Sequence, residues 1–253
     1  MYQELKQKIK DLEAEYLLFP EEEVQEVERL SNVNYLLYST DDITLLRSHS
    51  KALKKIKRAK RNLNKQYNWD KKMEEAPQRL STLNDMVSQS TKLFCMDLEF
   101  CEKTRVLTEV GVSLFNPQTS KLEVYHFVVL EHYNRRNGTH VPDHKDDFKY
   151  GKSQVLPLEL VEVAVLTLVQ GSDYLVGHAF ANDKAFLSQC GYFENTKVLD
   201  TQKYAPYALQ KNQQMSLANV VRETMNEEPE FLHNGGNDAY YTMKSLLTMA
   251  EVA

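Results

Sequence analysis

Lys92-Leu93-Phe94-Cys95-Met96-Asp97-Leu98-Glu99-Phe100 is the stretch on which the reading of this chain turns. Leu93, Cys95, Leu98 and Phe100 give it the apolar character of an interior strand, yet it carries two carboxylates, Asp97 and Glu99. Alternate residues on a strand face the same way, so both acids point to one side. A buried charge without a partner is costly. The natural partner for two converging carboxylates is a hard divalent cation. The remaining ligands of such a cation must come from elsewhere in the chain.

Outward from this strand, Val106–Phe115 and Lys121–Leu130 read as two more strands, separated by the turn Asn116-Pro117-Gln118-Thr119-Ser120. Together they make an antiparallel meander. Residues 131–154 are polar and loop-like. The His and Asp residues there (His140, Asp143, His144, Asp146, Asp147) have no helix or strand pattern to set their geometry, and are read as an exposed loop over the active face. Leu158–Val169 reads as a helix, Asp173–His178 as a short strand, Asn182–Gln189 as a helix capped by Asn182, and Lys197–Leu199 as a strand. Helices over Ser216–Met225 and Asn237–Ala250 close the chain. Strands first, then strands alternating with helices, imply an α/β domain with a mixed sheet.

Two further acids fall at helix starts, where α/β proteins place their sites. Asp183 follows the Val176-Gly177-His178 strand end, and Asp238 follows Gly235-Gly236, with His233 five residues before it. An acid-x-acid pair alone is weak: with 36 acidic residues, about five arise by chance. Order and setting carry the signal. Met96-Asp97-Leu98-Glu99-Phe100, Val176-Gly177-His178-Ala179-Phe180-Ala181-Asn182-Asp183-Lys184-Ala185-Phe186-Leu187 and His233-Asn234-Gly235-Gly236-Asn237-Asp238-Ala239 resemble, in sequence order, the three motifs of the DEDDh 3′→5′ exonucleases. The resemblance covers Lys92 to Ala253. One departure is Ala179, where many members carry Asn. The form of the third motif, with Phe148-x-x-Gly151-x-Ser153, looks like a eukaryotic-type branch linked to RNA metabolism.

The resemblance implies an RNase H-like fold: a mixed five-stranded sheet flanked by helices in residues 91–253, with residues 1–90 as a helical N-terminal extension. It implies two Mg²⁺ ions, replaceable by Mn²⁺, held by Asp97, Glu99, Asp183 and Asp238, with Asp97 bridging both. His233 would be the general base, reaching the attacking water on a mobile Gly235-Gly236 lead-in. Its ordinary pKa suits that task at neutral pH. Leu98, Phe100 and Phe180 would flank the terminal nucleotide, a contact tolerant of every base. Asp97, Glu99, Asp183, Asp238 and His233 are thus the expected catalytic set. His178 is read as a structural residue, and Asp200 is left outside the ligand set.

The first ninety residues match no motif. Leu5, Ile9, Leu12 and Tyr16 predict a helix over Met1–Leu18, and Pro20 ends it. A second helix is expected through Val24, Val27 and Leu30, and Val33–Tyr38 forms a short apolar run. A long helix follows from about Asp42. Between Arg47 and Lys72 it holds a single acid, Asp70. Lys54, Lys57, Arg58 and Arg61 within it are candidate contacts to a phosphate backbone. Residues 74–90 read as a linker or short helix. Three cysteines match neither a disulfide framework nor a zinc spacing, and no apolar run is long enough to cross a membrane. The N-terminal residues lack the apolar core of a secretory signal. The expectation is an intracellular protein of cytoplasm or nucleus, acting on single-stranded nucleic acid, RNA favoured over DNA, with no membrane. Two other readings remain: a catalytically weak nucleic-acid- or protein-binding module on the same fold, and an editing nuclease whose N-terminal helices dock a protein partner.

Overall fold

The computed structural model describes residues 2–17, 25–26, 40–192 and 196–251. Apart from Gln25 and Glu26, the expected second helix and the Val33–Tyr38 run lie outside the described residues. The chain divides into two compact units, Met1–Glu74 and Glu75–Ala253.

The first unit holds helix α1 (Tyr2–Leu17) and most of helix α2 (Thr40–Ser88). Ile9, Ile56 and Ala59 are buried, and Lys60 pairs with Glu13 at 2.6 Å. Lys54, Lys57, Arg58 and Arg61 are all exposed on α2. No break occurs at residues 74–90, where a linker or short helix is expected. Instead α2 runs on to Ser88, through Pro77. A proline inside a helix removes one backbone hydrogen bond. Here Ala76, Leu80, Leu83 and Val87 form a buried stripe at helical spacing. Burial of that stripe outweighs one lost bond. It also assigns the last turns of α2 to the second unit, where Asn84 donates to the Ala250 carbonyl at 2.9 Å.

The second unit is a mixed sheet of six strands in the order β4-β3-β2-β1-β5-β6. The strands are β1 (Leu93–Phe100), β2 (Leu107–Asn116), β3 (Lys121–Val129), β4 (Gln154–Leu156), β5 (Tyr174–Gly177) and β6 (Lys197–Asp200). β1, β2 and β3 are antiparallel, while β5 runs parallel to β1, β6 to β5, and β4 to β3. Five strands are those expected. The sixth, β4, is three residues long and sits at the edge, too short to show an alternating pattern. The helices are α3 (Leu158–Val169), α4 (Ala181–Gln189), α5 (Thr201–Ala208), α6 (Leu217–Met225) and α7 (Gly235–Glu251). Two of their starts correct the sequence reading: α5 is a helix that no motif signalled, and α4 opens at Phe180 with no side-chain cap rather than on Asn182.

Strand parity splits the core in two. Leu93 and Cys95 pack with Leu83, Val87, Val220, Met243 and Leu246 on one face. Phe94 and Met96 pack with Val161, Val165, Phe186 and Leu187 on the other. Asp97 and Glu99 continue the Leu93–Cys95 parity, toward the face covered by α7.

Candidate active site

β1 carries its acids at its C-terminal end, where the ladder with β2 is interrupted. The register shifts between Glu99 and Phe100, and the Thr108 hydroxyl donates to the Glu99 carbonyl at 3.0 Å. Bulges of this kind re-aim side chains beside sites. α7 closes over the acids at very short range. A Cβ on Gly111, which pairs with Asp97 across the ladder, would lie 1.8 Å from the Gly235 carbonyl oxygen. Only glycine permits that approach, and it brings the first turn of α7 against β1.

Asn234 caps α7: its Oδ1 accepts from the Asn237 amide at 3.1 Å, and its carbonyl accepts from the Asp238 amide at 2.9 Å. Gly235 and Gly236 are therefore buried helical residues. They are not the mobile lead-in expected from the sequence, because both are held by close packing. His233 sits just before the cap in a left-handed conformation, φ 67°. Its amide donates to Asp238 Oδ2 at 2.9 Å. The turn thus ties the histidine to the acid five residues on, and strain of this type persists only where the surroundings enforce it.

Glu99, His233 and Asp238 each offer a ligand atom, all within 4.8 Å of one another. His233 Nδ1 lies 3.8 Å from Glu99 Oε1, a charge contact longer than a hydrogen bond. Glu99 beside it holds the His233 pKa above its usual value. Asp97 joins this group electrostatically. Burial pushes its carboxyl well up, and Asp238, Glu99 and Asp183 push it further. Burial likewise raises Asp238, reinforced by Glu99, and raises Glu99 against the opposing pull of His233. Burial pushes Asp183 up to about 7, with Asp200 and Glu99 adding to it. Asp183 and Asp238 are 7% and 6% exposed. Such clustering of like charges in an enclosed site is the electrostatic mark of a cation site that raises carboxylate pKa values until it is filled.

One atom makes the fit to a cation specific. Asp238 Oδ1 is buried with no hydrogen-bond partner among the described residues, whereas buried polar atoms are ordinarily satisfied. Its other oxygen is used by the His233 amide. The carboxylate oxygens of the acids are the donors a hard divalent ion takes.

The remaining expected residues separate. Leu98 is half-buried against the core on the face opposite the acids. Phe180 is 3% exposed within that same core. Phe100 lines an open groove with Arg105, Asn182 and Phe186. His178 has both ring nitrogens engaged, by Thr201 Oγ1 at 2.9 Å and by the Met215 carbonyl at 3.0 Å. Asp200 accepts from the amides of Ala179 and Gln202, each at 3.0 Å. It therefore caps α5 and also holds the turn that leads to Asp183. Ala179 itself is left-handed, φ 61°, a conformation that asparagine adopts more readily than alanine. Two residues escaped the sequence reading: Glu109, 3% exposed on β2, and His126, fully buried on β3. The signal that could have found Glu109 is the one that found Asp97, an acid inside an apolar strand.

Glu99, His233 and Asp238 meet at the end of the central strand, and Asp97 and Asp183 are coupled to them electrostatically. The chain belongs to the DEDDh exonuclease superfamily: residues 92–249 match the family model DEDDh_C, described as DNA polymerase III subunit epsilon-like, C-terminal domain. Similar proteins include the uncharacterized protein YDR514C of Saccharomyces cerevisiae, 28% identical over 67% of this chain and 43% of its own length. The Good for full DBP5 activity protein 2 of the same yeast is 26% identical over 66% of this chain and 37% of its own length. The uncharacterized nucleolar protein C2C4.08 of Schizosaccharomyces pombe is 26% identical over 63% of this chain and 69% of its own length. The matched segments thus span less than half of either budding-yeast relative. A solved structure described as a full-length 3′-exonuclease aligns at 16% identity with a TM-score of 0.45, over 64% of this chain and 61% of that one. No helix among the described residues is long and apolar enough to cross a membrane.

Proposed function

We propose that this protein is a metal-dependent 3′→5′ exonuclease that releases nucleotides from the 3′ end of single-stranded nucleic acid, with RNA favoured over DNA. The observation that carries the reading is the meeting of Glu99, His233 and Asp238 within 4.8 Å, with Asp238 Oδ1 unpartnered and Asp97 coupled to both acids. A pure binding module has no use for so costly an arrangement.

Asp97, Glu99, Asp183 and Asp238 would hold two divalent ions, Mg²⁺ by preference and Mn²⁺ as a substitute. Bound ions of this kind lower the pKa of an attacking water and offset charge at the scissile phosphate. His233, 46% exposed at its side chain and aimed by its own amide bond to Asp238, takes the proton from that water. Glu99 raises the pKa of His233, so the neutral imidazole that acts as base is favoured toward higher pH. Phe100 borders the groove beside Asn182 and offers a ring on which any base can stack. The substrate contact expected of Leu98 and Phe180 falls away in this reading, since Phe180 is buried in the core and Leu98 packs against it on the face opposite the acids. The exposed cations Lys54, Lys57, Arg58 and Arg61 hold nucleic acid through its phosphates, a contact without sequence preference. The nucleolar relative supports a nuclear location. The relative named for full DBP5 activity supports a protein partner, for which the N-terminal helices are the docking element.

The exposed basic helix also suits the competing reading, a weakly catalytic binding module. One assay decides between them: Mg²⁺-dependent shortening of end-labelled RNA and DNA oligonucleotides, with 3′ ends free or blocked, by the full chain and by Asp97→Ala. Stepwise shortening from free 3′ ends, lost in Asp97→Ala, establishes the nuclease. Binding without shortening establishes the module.

A further inference from the structure

Glu109 is a further buried carboxylate on the strand beside β1, and the mechanism does not use it. On the sheet it stands opposite Glu99. Its Oε2 is 3.0 Å from His126 Nε2 and accepts from the Gly235 amide at 3.4 Å. The other nitrogen of His126, Nδ1, lies 2.8 Å from Ser153 Oγ. A carboxylate only accepts, so Nε2 donates to Glu109, while Nδ1 makes its hydrogen bond with the serine hydroxyl. A hydrogen-bonded line therefore runs from Ser153 through β3 and β2 to the first residue of α7.

The same helix turn is gripped from the loop side. A Cβ on Gly236 would lie 2.6 Å from the Phe148 ring and 2.8 Å from His126 Cβ, and the two rings are 5.2 Å apart. The Lys149 amide donates to Asn237 Oδ1 at 3.0 Å, and Asn237 Nδ2 donates to the Asp147 carbonyl at 3.0 Å. Asn234 Nδ2 donates to the His144 carbonyl at 2.9 Å. Every residue of 234–237 is thus held by residues 144–153, by Glu109 or by His126. Phe148, Gly151 and Ser153 are the positions singled out in the sequence as a motif of their own. Gly151, at φ 158°, would place a Cβ 3.2 Å from the Phe148 ring.

We propose that Glu109, His126 and Ser153 are positioning residues: they fix the first turn of α7 and through it the placement of His233 and Asp238. The loop 144–153 then belongs to the active site by mechanical support, without touching substrate. Outer partners of this kind are worth about 10–100-fold in activity where they have been removed. The proposal rests on the nuclease reading only for its kinetic arm.

The test uses the full chain with Ser153→Ala, Ser153→Thr and Glu109→Gln. Two quantities are read: amide hydrogen exchange at 235–238 in metal-free protein, and kcat and KM on a single-stranded oligonucleotide with Mg²⁺. Ser153→Ala should speed exchange at 235–238 by about tenfold, leave β1 and β5 unchanged, and lower kcat about tenfold at nearly constant KM. Ser153→Thr keeps the hydroxyl and should restore both. Glu109→Gln should lower kcat by nearer a hundredfold. Should Glu109→Gln fail to fold, Ser153→Ala alone decides. Unchanged exchange at 235–238 in Ser153→Ala, or faster exchange spread evenly over the sheet, overturns the proposal. If the wild-type chain degrades nothing, the nuclease reading fails by itself, and the exchange result still decides for or against positioning.

Discussion

Two regions of this molecule concentrate charge, and they treat it in opposite ways. At the end of β1, Asp97, Glu99, Asp183 and Asp238 crowd like charges into an enclosed space, each with its carboxyl pKa pushed up. Along α2, Lys54, Lys57, Arg58 and Arg61 stand in solvent. Exposed cations are already satisfied by water and ask for no ligand. Buried acids that repel one another are a standing cost to the fold, and a bound cation reverses its sign. The acid cluster is therefore informative about function even when nothing is bound to it, whereas the basic face becomes informative only when a polyanion is offered.

The comparison breaks first at the acids. Asp238→Asn should cut Mg²⁺-dependent nucleolytic activity by about a thousandfold or more, since several kcal/mol of charge stabilisation at the phosphate depend on the ligand set. It should also raise the melting temperature of the metal-free protein, because one repelling charge is gone. Loss of activity accompanied by loss of stability would mean that the acids hold the fold and not an ion. His233→Gln should lower kcat by about a hundredfold while leaving Mg²⁺-induced stabilisation nearly intact. Equal loss of both would move His233 from base to ligand.

A pH series sharpens the same contrast. A carboxyl raised to about 7, as at Asp183, binds its proton in the folded chain at pH values where the unfolded chain, near 3.9, has released it. Stability of the metal-free protein should therefore fall as pH rises from about 4 to about 7, by about 1.4 kcal/mol per unit for a single such group. Saturating Mg²⁺ should flatten or invert the slope, because ligation takes the deprotonated form. Thermal melts with and without the ion measure this directly. A melting temperature independent of pH across that window would show that the acids are solvated.

The basic face should respond quite differently. Replacing Lys54, Lys57, Arg58 and Arg61 with Ala should weaken nucleic-acid binding and flatten its salt dependence by about 0.7 per lost phosphate contact. Stability should change by no more than about 0.5 kcal/mol per site. An unaltered salt slope would reduce this surface to a solvated helix. The smallest effect belongs to the turn before Asp183. Ala179→Gly should stabilise by about 1 kcal/mol, since the position is left-handed; urea unfolding at equal m value is the measurement.

Much of the site was legible in the linear order. The apolar run of β1 announces burial, and burial makes Asp97 and Glu99 conspicuous; the spacing His233 to Asp238 does the same for the last helix. The extent of the folds around them was less legible. Pro77 argued for an interruption that the buried Leu80–Val87 stripe overrides. Gly235-Gly236 looked like slack and proved to be a contact surface, because the reason for those glycines, Gly111 on one side and Phe148 with His126 on the other, lies far away in sequence. Glu109 escaped because a lone acid on a strand has no partner visible nearby.

The sequence by itself determined the family and the two strand acids on one face, because alternation and local motif order are short-range properties of the chain. Only the tertiary structure decided that Phe180 is core with Leu98 half-buried against it, that residues 234–237 hydrogen-bond to a loop some ninety residues earlier, and that Asp238 Oδ1 is left without a partner. Those facts depend on which surfaces meet, and contact between distant segments is set by packing of the whole sheet rather than by any residue's neighbours in the chain.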